Sequence, residues 1–144
     1  MKVLMATGVL FVAAVSAATA QSLPDLKGTW SGPFKTAIFG HNPHHPGTGT
    51  IGDAPRIREI DFSLDIQGQD GPLLWGHSWS NPETKEPFAM SVTADGKTII
   101  GADGDGSLSA SITTPDQLDL CYTHTALSPS QSIVASCGVL KRTK

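Results

Sequence analysis

Past residue 20 the sequence predicts an all-β chain, folded as an eight-stranded antiparallel up-and-down β-barrel. Three observations predict it. Apolar and polar residues alternate in short runs, as in Phe62-Ser63-Leu64-Asp65-Ile66-Gln67 and Leu108-Ser109-Ala110-Ser111-Ile112, which is the period of a strand with one dry and one wet face. Turn-forming clusters separate the runs: Gln69-Asp70-Gly71, Asp95-Gly96, Gly104-Asp105-Gly106 and Pro115-Asp116. Helical periodicity is almost absent, and most connections are short enough for hairpins between neighbours in sequence.

The elements follow in order. Residues 1–20 carry Lys2, an apolar run from Val3 to Val15 and the small ending Ala18-Thr19-Ala20, the pattern of a secretory signal cleaved before Gln21. The apolar run is shorter than the roughly 20 residues that span a bilayer. Cleavage would leave residues 21–144 as one domain of 124 residues and, with Lys2 gone, move the formal charge from −3 to −4. A mildly acidic chain without a basic run excludes nucleic acid as a partner, and excludes an anionic membrane once the signal is removed. The expected location is secreted or periplasmic. Strands are predicted over 27–39, 56–67, 72–80, 88–93, 97–102, 107–113, 117–125 and 131–142.

Alternation assigns faces. Trp30, Phe34 and Ile38 point inward on the first strand, Trp75, His77 and Trp79 on the third, Phe88, Met90 and Val92 on the fourth, and Leu118, Leu120, Tyr122 and His124 on the seventh. The two cysteines, Cys121 and Cys137, fix a register. Opposed residues of an antiparallel hairpin lie symmetrically about its turn, and the midpoint of this pair is Pro129, inside Leu127-Ser128-Pro129-Ser130-Gln131. The cysteines are therefore expected to face each other on the outer wall and, in an oxidising compartment, to form a disulfide. The same register pairs Leu118 with Leu140, His124 with Val134 and Asp116 with Arg142.

Gly28-Thr29-Trp30 opening the first strand, eight strands, and a basic residue ending the last resemble the calycins, the lipocalin, avidin and fatty-acid-binding type of barrel. The resemblance implies that Trp30 plugs a closed end with Arg142 packed across its ring, an arrangement a cation–π contact would favour. The strand directions then place the 40–55, 81–87 and 103–106 connections and the Pro129 turn at the opposite end, the mouth. The resemblance implies a binder of a small apolar or aromatic molecule.

The candidate ligand-binding set is Ile38, Trp75, His77, Trp79, Phe88, Met90, Tyr122 and His124, an apolar lining with a few polar groups. In GHNPHHPG, Gly40 to Gly47, His41, His44 and His45 lie on a proline-restricted loop over the mouth. Imidazole suits several metals, yet the cluster holds no cysteine or acid and has no known zinc spacing. It is read as a lid, and no metal or other cofactor is expected. Asp103-Gly104-Asp105-Gly106 fails the calcium-loop pattern, because Leu108 and Thr114 occupy its glycine and acid positions, so a tight turn is expected. No nucleophile elbow or paired inner-face carboxylates indicate an enzyme. The alternative to a ligand binder is an inhibitor or other interaction protein with a protein target, using residues 21–27 or 81–87 as the contact. Interior volume separates the two: an eight-stranded barrel is only just wide enough to pack solid or to hold one small molecule.

Overall fold

The computed structural model describes residues 23–41, 52–125 and 132–143. Eight strands follow one another: β1 (Gly28–Phe39), β2 (Arg56–Asp70), β3 (Leu73–Trp79), β4 (Glu86–Val92), β5 (Thr98–Ala102), β6 (Gly106–Thr114), β7 (Gln117–His124) and β8 (Ile133–Arg142). Each pairs antiparallel with the next, and β1 pairs with β8, so the sheet closes into a barrel with neighbours in strict sequence order. Closure leaves no sheet edge to be covered. Among the described residues no helix is long and apolar enough to cross a membrane. The predicted signal at 1–20 and the turn around Pro129 lie outside the described residues.

The expected inner faces hold on β1, β2, β4, β6 and β7. Trp30, Phe34 and Ile38 of β1, Phe62, Leu64 and Ile66 of β2, Phe88, Met90 and Val92 of β4, Leu108 and Ala110 of β6, and Leu118, Leu120 and Tyr122 of β7 are all buried. The register of the β7–β8 hairpin is the one the cysteines dictate, with Leu118 opposite Leu140, Cys121 opposite Cys137 and His124 opposite Val134. The disulfide is formed, with Cα atoms 4.1 Å apart.

Strand β3 is the exception, and its parity corrects the expectation for Trp75, His77 and Trp79. Leu74, Gly76 and Ser78 face inward, while Trp75 is 48% exposed and His77 and Trp79 are partly exposed on the outer parity. The cause lies in the partner strand. A bulge between Ile66 and Gly68 leaves Gln67 without an opposite residue, which reverses the alternation along the rest of β2. Gly68 then faces out beneath Trp75, where any Cβ would collide with the indole, and Gln69 turns in toward the closed end. On the inner side Gly76 approaches the backbone so closely that a Cβ would strike the Asp65 carbonyl oxygen.

The closed end is sealed by the segment before β1. Leu26 is fully buried. Its carbonyl accepts the Trp30 Nε1–H at 2.9 Å, its amide donates to Gln69 Oε1 at 2.8 Å, and Gln69 Nε2 donates to the Pro24 carbonyl at 3.0 Å. The Arg142 guanidinium lies 4.3 Å from the Trp30 ring centroid, and it donates to Asp116 Oδ1 at 2.9 Å, to the carbonyls of Asp25 and Pro115 at 2.8 Å each, and to the Lys27 carbonyl. The described part of the 21–27 segment is therefore a plug built into the fold.

Candidate functional site

From mid-barrel to mouth an aromatic column rises along the axis. Phe34 stacks on Phe62 with centroids 4.8 Å apart, Phe62 meets Tyr122 at 6.2 Å, and Tyr122 meets the edge of His124 at 6.0 Å. Polar inward residues begin at the same height, where Thr36 on β1 and Ser136 on β8 share a buried hydroxyl–hydroxyl hydrogen bond. They belong to the inner parity of their strands, between Phe34 and Ile38 and between Val134 and Gly138. The interior thus changes from apolar at the closed end to polar at the mouth.

Between the column and the rim lies a cavity of about 30 Å³, walled by Ile60, Phe62, Trp79, Tyr122 and Val134 and given its polar lining by hydroxyls such as Ser78 and Ser136 and the carboxylates of Glu86 and Asp103. Such a volume holds a water or two. It is about tenfold smaller than the roughly 300 Å³ at which small-molecule sites begin. Trp79 reaches it from the outer parity because it ends β3, and Lys85 from the following loop stacks 4.2 Å over its ring.

The rim acids are held by the β5–β6 turn. Asp103 Oδ1 accepts the Gly106 amide at 2.8 Å and the Asp105 amide at 3.4 Å, closing the tight turn that the Asp-Gly-Asp-Gly sequence predicts. Asp103 Oδ2 accepts the Ser78 hydroxyl at 3.5 Å. Oxygens of Glu86, Asp103 and Asp105 lie within 4.8 Å of one another. These are the described residues that could hold a metal, and their hard oxygens suit calcium or magnesium. One oxygen from each of the three carboxylates supplies at most half of the six to eight that calcium takes, and Asp103 and Asp105 already accept hydrogen bonds, so the cluster alone does not make a metal site.

Tyr122 donates its hydroxyl to Asp105 Oδ1 at 2.6 Å. Burial, reinforced by the bond to Asp105 and by the charges of Asp103, Asp105 and Glu86, pushes this phenol well above its ordinary range, so it remains a neutral donor. His124 Nδ1 stands 3.6 Å from Asp105 Oδ2, while its Nε2 is 2.7 Å from the Ser132 carbonyl oxygen and 2.8 Å from Ser132 Oγ. Ser132, His124 and Asp105 have the residue types of a nucleophilic triad, but the geometry opposes one. A carbonyl only accepts, so Nε2 carries the proton and donates, and it has no lone pair left to take a proton from the serine. Ser132 is also fully buried. The group ties the ends of β7 and β8 to the β5–β6 turn.

Among the expected ligand-binding residues, Ile38, Phe88, Met90, Tyr122 and His124 are inside the barrel. Tyr122 lines the cavity directly, and Trp79 joins it from outside. Trp75 and His77 are removed from the site by the reversed parity of β3. His41 is exposed just beyond β1, and His44 and His45 lie outside the described residues. Glu86, Asp103, Ser78 and Ser136 were not foreseen as site residues. The signal available for Ser136 was its inner parity, and for the acids their position at the mouth ends of β4 and β5, whereas Ser78 turns inward only through the bulge in β2.

No protein-family model and no curated protein sequence matches the chain. Among solved structures, a redesigned β-barrel is similar at 11% identity with a TM-score of 0.43, over 83% of this chain and 92% of that one.

Proposed function

We propose that the protein is an exported interaction protein, a solidly packed barrel that presents its mouth rim to a protein target. The observation that carries this reading is the size of the cavity among the described residues: about 30 Å³ beside the aromatic column admits the tip of a side chain, whereas enclosing a molecule takes hundreds. The 81–87 loop supports it. Asn81 Oδ1 accepts the Glu83 amide at 3.1 Å and the Asn81 carbonyl accepts the Thr84 amide at 3.0 Å, so Pro82, Glu83 and Lys85 are displayed on a preformed turn, which reduces the entropy lost on binding. Export is supported by the leader pattern and by the Cys121–Cys137 bond, which favours an oxidising compartment. The calycin resemblance is compatible with this role.

A second reading, a calycin-like binder of a small apolar or aromatic molecule at the mouth, is favoured by the lining itself. Phe62, Trp79 and Tyr122 offer flat apolar surface, and the Glu86 and Asp103 carboxylates accept from a donor-bearing ligand. Native mass spectrometry of protein purified from its source separates the two. A retained protein that is lost on Lys85→Ala and unaffected by Ser136→Leu, which fills the cavity, supports the interaction reading. A retained small molecule lost on Ser136→Leu overturns it in favour of the ligand binder.

A further inference from the structure

The outer wall away from the mouth holds a feature that neither reading uses. Around the barrel, one row of outward residues runs Ile100, Ser109, Cys121, Cys137 and Lys35. The disulfide is at its centre, with Cys137 exposed and Cys121 half-buried. The wall is hollowed on both sides of it. One depression of about 550 Å³ lies over Thr98, Ser109, Ser111 and Asp119. A second, of about 510 Å³, lies over Ser31, Pro33, Lys35 and Glu59. Cys137, Gly138 and Val139 form the ridge between them. Exposed disulfides are the more readily exchanged.

The bond is also not what holds its strands together. β7 and β8 are paired from Gln117–Lys141 to His124–Val134, β8 is bound on its other side by β1, and Arg142 anchors its end. Opening the sulfur bridge removes a cross-link from a sheet that stays closed.

We propose that Cys121–Cys137 is an exchangeable disulfide, a substrate for a protein dithiol that seats in the outer depression over Ser31, Pro33 and Lys35, on the side of Cys137 opposite Cys121 and so in line with the bond to be broken. The partner's thiolate attacks the exposed Cys137 Sγ, forming a mixed disulfide. The Cys137–Cys121 bond breaks, and its electron pair leaves on Cys121 Sγ, which takes up a proton. The partner's second thiol, as thiolate, then attacks its own sulfur in the mixed disulfide, closing the partner's disulfide and releasing Cys137, which is protonated in turn. Two electrons and two protons pass to the barrel, and the partner is oxidised by the same amount.

The test uses the oxidised full-length protein, with dithiothreitol as a small dithiol and a thioredoxin-type Cys-x-x-Cys protein as a large one, and reads thiols by alkylation and intact mass. Both reagents should open the bond in the folded barrel at rates unchanged by sub-denaturing urea, with the β-sheet circular dichroism retained. Ser31→Trp fills the depression and should slow the protein dithiol at least tenfold while leaving dithiothreitol unaffected. In single variants, Cys137 of Cys121→Ser should react with an aromatic disulfide reagent faster than Cys121 of Cys137→Ser. Reduction that accelerates in step with unfolding would overturn the exchange. Equal slowing of both reagents by Ser31→Trp, or no slowing of either, would overturn the docking. Faster reaction at Cys121 would overturn the order of attack.

Discussion

The Asp95 carboxylate accepts from Thr93 Oγ1 at 2.6 Å, from the Lys97 amide at 2.9 Å and from the Thr98 amide at 3.2 Å, across a turn in which Gly96 has φ +67°. Hydrogen bonds to the charged form, that of Thr93 foremost and then the backbone amides, lower its pKa from 3.8 to about 2. Because the folded value is depressed, the stabilisation is fully present above the unfolded pKa and is lost as pH falls through the folded one. The β4–β5 turn should therefore keep its full protection from amide exchange above about pH 4 and lose this contribution toward pH 2. A carboxyl NMR titration should place Asp95 near 2, and in Thr93→Val its midpoint should move up toward the unperturbed value. An unmoved midpoint would mean that Thr93 is not the principal donor.

At the scale of elements, the bulge in β2 and the disulfide in the β7–β8 hairpin show what a sequence can disclose. The hairpin was legible because two cysteines and a proline-centred turn state the register independently. The parity of β3 was not legible, because Trp75-x-His77-x-Trp79 has a buried strand's composition and the residue that reverses it, Gln67, lies on the neighbouring strand. The acid rim was missed for a related reason: Asp103 and Asp105 read as turn-formers, and it is the register of the β4–β5 pair that brings Glu86 beside them. Two outcomes follow. Gly76→Ala, which drives a methyl into the Asp65 carbonyl, should cost about 1–3 kcal/mol as overpacking does, measured by urea unfolding. Replacing both cysteines by serine should cost roughly 3 kcal/mol, as expected for so short a closed loop between residues 16 apart, while leaving the fold intact. Intact mass should rise by two hydrogens when the wild type is reduced.

Across the whole molecule the two ends differ in kind, sealed under Arg142 and polar at the mouth, so truncations should report position. Trp30→Ala should cost about 3–5 kcal/mol, as for a buried large aromatic, and clearly more than Trp79→Ala, whose ring is partly exposed beneath Lys85. Equal losses in urea melts would contradict the assignment of the ends. Chelator should leave the melting temperature unchanged, as should alanine at His41, His44 and His45, since a structural metal would make folding depend on it. The Arg142 bonds to Asp25 and Lys27 span 117 and 115 residues, and their length has a consequence for how the chain is made. Long-range pairing of this kind raises contact order and slows folding. During synthesis β1 can meet β2 early. Because the second neighbour of β1 is β8, the barrel cannot close until that strand has emerged, and until then β1 keeps one edge unpaired.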